Sequence, residues 1–108
     1  MPPQRPVSFM DNLKIHDPQF FETVSKVMSQ AEGPGALDAK TKALMIVALD
    51  SAGGSPQGAK HAAARARSLG ATKAEITEAV RLAFVVAGVP GLVAGLAALE
   101  ENLPGPMP

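Results

Sequence analysis

His61 is the side chain in this sequence best suited to moving a proton near neutral pH. Lys60 precedes it, and Arg65 follows one helical turn later on the same face. A small carboxylated ligand would find an imidazole base beside a planar guanidinium fork there. The plainer account is a solvated polar face on an alanine-rich helix, with Arg65 in a surface ion pair. Glu78 offers a carboxylate for the same acid–base work, and its plainer account is also surface polarity. Ser55 carries a hydroxyl that could attack, but Pro56 follows it, the signature of a helix cap followed by proline in the first turn. His16 and Asp17 could suggest a metal pair. Adjacent residues at a helix start do not converge on one ion, and no third ligand is in view, so no metal site is expected. Glu75 is taken up by a capping role described below.

The chain has no cysteine. That removes disulfides, thiolate nucleophiles and thiolate metal sites, and it fits a reducing cytoplasm. No cofactor is expected. The first twelve residues carry prolines and one arginine but no apolar core of a signal peptide.

The elements that must position these side chains read as helices separated by Pro and Gly. No segment sustains period-2 alternation, so the expectation is an all-α fold with five main helices and a short N-terminal one. Ser8 can cap the short helix, from Asp11 to Ile15. Asp17-Pro18 starts the next, whose stripe is Phe20, Val24, Val27 and Met28, and Gly33-Pro34-Gly35 stops it. Asp38 caps a helix whose Ala43 to Leu49 stretch is apolar on all sides, which predicts deep burial. Gly53-Gly54 ends it. Ser55-Pro56 opens an alanine-rich helix running to about Leu69, with Gly70 behind it as a C-terminal cap. Thr72 and Glu75 form a capping box, ahead of an inward stripe of Ile76, Val80, Ala83 and Phe84. Gly88-Val89-Pro90-Gly91 breaks the chain, and a last helix runs from about Pro90 to Asn102. Phe20, Phe21, Met28, Met45 and Phe84 are expected in the core. This gives an N-terminal arm with a short helix over 1–17, a helical domain over 18–103 and a tail over 104–108.

Composition limits the partners. Basic and acidic residues balance at ten each, with no basic stripe for a phosphate backbone, so nucleic acid is not expected. Hydrophobic residues make up 46% of a chain of 108, many of them alanine. A domain this small covers a limited share of its surface by itself, which favours subunits that complete one another as a homo-oligomer. Leu82 to Leu99 carries no charge and includes Gly91-x-x-x-Gly95, so by length it is a membrane-span candidate. Pro90 between Gly88 and Gly91 breaks it at its centre, and no aromatic or basic anchors flank it. The preferred account is two buried helices packed through small residues, across a subunit interface.

The order of these features resembles the carboxymuconolactone decarboxylase family, which includes the alkylhydroperoxidase D-like proteins. The resemblance runs from about Leu37 to Leu99. It rests on Gly70-Ala71-Thr72, Glu75-Ile76, Glu78-Ala79 and Ala87-Gly88-Val89-Pro90. It implies an oligomeric helical bundle, a trimer or hexamer. Redox members carry Cys-x-x-Cys-x-x-x-His at the start of the helix that begins here at Ser55, with a relay glutamate on the preceding helix. Counted back from Gly70, the histidine position is Ala62, the cysteine positions are Gly58 and Ser55, and the glutamate position is Ala43. None of these four can do the work of the residue it replaces. His61 is one residue from the histidine position, about 100° around the helix. The resemblance therefore implies a member without thiol peroxidase chemistry, working as a binding or scaffold module with an apolar intersubunit pocket. The other possibility is a thiol-independent decarboxylase- or lyase-like enzyme acting on a small carboxylated, lactone-type substrate.

Overall fold

The computed structural model of the chain describes residues 9–100. These are helical almost throughout, with no strand among the described residues. The chain forms two compact units, one through Gly33 and the other from Pro34 onward.

The first unit is a helical hairpin, α1 (Phe9–His16) and α2 (Pro18–Glu32). Asp17 caps α2 by accepting a hydrogen bond from the Phe20 amide at 3.1 Å, and Pro18 supplies the preset φ of the first turn. Lys14 lies over the Phe21 ring, 5.6 Å from its centroid. The expected start at Ser8 lies outside the described residues. Phe20 is exposed, against the expectation that it is core, and no residue of either helix is fully buried.

The second unit holds α3 (Ala39–Ala52), α4 (Pro56–Ser68) and α5 (Lys73–Leu96), closed by a 3₁₀ turn over Ala97–Leu99. Asp38 caps α3 through the Thr41 amide at 2.7 Å. Thr72 and Glu75 form the expected capping box at α5: Glu75 N–H donates to Thr72 Oγ1 at 3.1 Å, and Thr72 N–H donates to Glu75 Oε1 at 2.8 Å. The second Glu75 oxygen accepts from Lys40 Nζ at 3.0 Å, tying the start of α5 to α3. Gly54 and Gly70, with φ of 77° and 96°, make the turns that follow α3 and α4.

The core is built from small side chains. Ala59, Ala62, Ala63 and Ala66 line one face of α4, and Val47, Ile76 and Val80 fill the space against them. Short alanine side chains let α3 and α5 approach α4 closely.

Gly88, with φ 69° and ψ −155°, interrupts α5. The chain folds back there, because Gly95 lies against Val80 and Gly91 against Ala83. A Cβ on Gly95 would fall 2.7 Å from Val80 Cγ1 and 2.9 Å from Ser51 Oγ, so only glycine fits. The expected break is therefore present. The small residues, however, close the chain on itself rather than facing a subunit interface, which corrects that expectation. The final helix is also shorter than expected, since α5 gives way to the 3₁₀ turn after Leu96. Lys73–Leu99 is long and apolar enough by composition to cross a membrane, but it folds back at Gly88 and is not a single rod.

Two further expectations about the core fail. Ala43 and Val47 are buried, but Met45 and Leu49 on the same apolar stretch are exposed, as is Phe84. In a three-helix unit α3 has neighbours on only part of its circumference. A helix that is apolar all round must leave one face uncovered.

Candidate functional site

The α3–α4 turn holds Ser55 and Gly58, two of the positions counted back from Gly70, and its geometry follows from local sequence. Gly53 and Gly54 end α3, and the Ser55 amide then donates to the Asp50 carbonyl at 2.9 Å, closing the turn. Ser55 Oγ accepts from the Gly58 amide at 3.1 Å and so caps α4. The hydroxyl is thereby committed to its own backbone and is no free nucleophile.

Position 58 is crowded. A Cβ there would lie 2.7 Å from Ser55 Oγ and 2.8 Å from both Cγ and Oδ2 of Asp50. Asp50 is a residue that the reading of the sequence missed. Its placement in the last turn of α3, before a glycine pair and a capping serine, was the available signal. Partial burial pushes its carboxyl above the ordinary aspartate range, and the nearby His61 imidazole pulls it back.

The side chains expected to act are spread over surfaces. His61 stands on the exposed face of α4, opposite the buried Ala59, Ala62, Ala63 and Ala66. Lys60 is exposed and lies 3.8 Å from Glu100, a pair too solvated to contribute much. Arg65 is exposed on the same face. Glu78 is exposed on α5, beside Lys73, Thr77 and Arg81 in a shallow open groove whose lining does not include His61. The four positions counted from Gly70 divide in two. Ala43 and Ala62 are buried in the core, and Ser55 and Gly58 form the turn. Among the described residues, no three acidic, histidine or cysteine side chains group as a metal site would require.

The model of the carboxymuconolactone decarboxylase family matches residues 18–101. The chain belongs to the carboxymuconolactone decarboxylase family. An uncharacterized protein of Methanocaldococcus jannaschii is 24% identical over 96 residues, spanning 89% of this chain and 90% of that one. Two crystal structures are similar at a TM-score of 0.77. One is an apo carboxymuconolactone decarboxylase family protein from Legionella pneumophila, 28% identical, covering 84% of this chain and 81% of that chain. The other is a candidate carboxymuconolactone decarboxylase from Burkholderia xenovorans LB400, 25% identical, covering 88% of this chain and 74% of that chain. The chain has no cysteine, which leaves it no thiol for peroxide reduction.

Proposed function

We propose that this is a carboxymuconolactone decarboxylase family protein without thiol peroxidase chemistry. It acts in the cytoplasm as a binding module whose apolar faces complete a pocket between subunits of a homo-oligomer, a trimer or hexamer. The ligand is a small apolar or carboxylated molecule. One observation carries this reading: the large apolar side chains that α3 and α5 leave uncovered. Met45, Leu49, Leu82, Val89 and Val93 are exposed, and Val85 and Val86 stand 78% and 82% exposed. Single soluble chains rarely leave apolar patches beyond a few hundred Å² open, whereas a stable interface takes about 800 Å² from each partner. Light scattering on the eluting protein is expected to give a multiple of 11.1 kDa. A clean monomer overturns the reading. Reduction of peroxide with a dithiol donor would also refute it.

A second reading is favoured by His61 and Arg65, which stand one turn apart on the same face of α4. In it the protein is a thiol-independent decarboxylase- or lyase-like enzyme acting on a small carboxylated lactone. Its requirement is turnover that disappears in His61→Ala.

A further inference from the structure

The chain on either side of Gly88 is divided lengthwise. Ile76, Ala79, Val80 and Ala83 are buried before the break, and Gly91, Ala94, Gly95 and Ala98 after it, both sets at helical spacing. The opposite side repeats that spacing with large residues left in water. Leu82, Val85, Val86 and Val89, then Val93 and Leu96, are all between 50% and 82% exposed. No residue from Leu82 to Leu99 is charged. α4 shows the contrast, since its open side carries Lys60, His61 and Arg65. Six apolar side chains exposed to this degree present several hundred Å², as large as the biggest patch a soluble monomer leaves open. A standard interface draws about 800 Å² from each partner.

Whatever covers this face must be uncharged and of like extent. Elsewhere in the unit from Pro34, the exposed large apolar side chains are Leu37 and Leu69 at helix ends, and Met45 and Leu49 one turn apart on α3. In the N-terminal hairpin, Phe20 and Val27 stand among the exposed Glu22 and Lys26, and Ile15 lies between the exposed Lys14 and His16. Among the described residues no second surface matches the α5 face, but the same face on another copy does. Resting on the homo-oligomer reading, we propose that the outer face of α5 pairs with the same face of a second copy about a two-fold axis. The contact is isologous, so each copy gives and receives the same residues. The assembly is built from such pairs. Its mass is an even multiple of the single chain, which selects the hexamer over the trimer. The smaller patch of Met45 and Leu49 does not hold copies together once pairing is lost.

The full chain and two double variants test this by light scattering on the eluting protein. Val85→Asp with Val86→Asp brings carboxylates against carboxylates across the axis, and Val85→Lys with Val86→Lys brings ammonium groups against ammonium groups. Each alone should fall to the mass of the single chain while keeping helical circular dichroism. Mixed in equal amounts, the two variants place opposite charges across the axis, and the native mass should return. The chain has no cysteine of its own, which allows a second measurement with neutral side chains. Of Leu82→Cys, Val85→Cys, Val86→Cys and Val89→Cys, each treated in dilute solution with a short bismaleimide, at least one should link two copies through the same position. A heterologous contact does not bring a position against itself. Should a charged variant lose its helicity, the cysteine series decides. The two-fold face is overturned by a wild-type mass of three chains, by charged variants that keep the native mass, by a mixture that stays at single-chain mass, or by cysteines that link no copies. Each of these leaves the homo-oligomer standing. A wild-type chain that elutes singly removes both.

Discussion

α5 carries two apolar faces that meet opposite fates. On the inner face, Gly91 and Gly95 lie so close to Ala83, Val80 and Ser51 that a single methyl group would collide. On the outer side, Val85, Val86, Val89 and Val93 stand mostly in solvent. Hydropathy does not separate the two, since both belong to one uncharged run. Side-chain size does. Small residues let the chain double back at Gly88 and close on itself, which leaves the β-branched residues pointing away from the core that α3, α4 and α5 build. The inner glycines are thus explained by their own chain, and the outer valines are the face that the proposed assembly would cover.

The largest effect should come from filling the inner face. Gly95→Val places methyl groups where Val80 Cγ1 and Ser51 Oγ already stand, and overpacking of this kind costs about 3 kcal/mol. The urea midpoint should fall at an unchanged m-value. A midpoint equal to that of the native chain would break the contrast. The outer face should respond in a different observable. Val85→Asp combined with Val86→Asp should leave helical circular dichroism intact and bring the mass in solution down to 11.1 kDa. If the double variant keeps the native mass, that face is not an interface. A third variant touches neither face: Thr72→Ala removes the cap of α5 and should cost about 1 kcal/mol, with the assembly mass unchanged. A change of mass in that variant would mean that the two faces cannot be perturbed separately.

Much of the fold was legible in the sequence because its signals are local. Asp17, Asp38, Ser55 and Thr72 each cap the helix expected of them, and Gly88 breaks the apolar run where Pro90 announces it. The direction of burial was less legible. Met45, Leu49, Phe20 and Phe84 read as core because they are large and apolar, but in a small helical unit burial depends on which neighbours exist, and that is not a local property. The glycine pair read as an intersubunit motif because spacing alone cannot tell a helix that meets another chain from one that meets its own earlier turn. At the candidate site, the substituted positions 43, 55, 58 and 62 could be counted from Gly70, whereas Asp50 could not. Its placement over Gly58 depends on the turn after α3, and the one signal for it, a helix-end aspartate before a glycine pair and a capping serine, is shared with ordinary helix-end aspartates.

The smallest effect sharpens the contrast at its polar edge. Asp50 is next to Ser51, the buried residue that Gly95 touches, and burial raises its pKa above the ordinary 3.8. The folded chain therefore holds this proton more tightly than the unfolded chain. Its contribution to stability is fully present below 3.8 and is lost as pH rises through the folded value. Asp38 and Glu75 behave oppositely. The Thr41 amide lowers the first, and the Thr72 amide, with Lys40, lowers the second. Their contributions are present above their unfolded values of 3.8 and 4.5 and are lost as pH falls. On acidification the two caps weaken while Asp50 strengthens, so each partly masks the other. Asp50→Asn removes the opposing member. Relative to the native chain it should gain stability at neutral pH and lose that advantage as pH falls toward 3.8, so its acid unfolding should be the steeper of the two. Urea midpoints for both chains across that range measure the difference. If the difference stays constant with pH, Asp50 titrates as a free side chain, and the edge of the inner face is no drier than the open valines opposite.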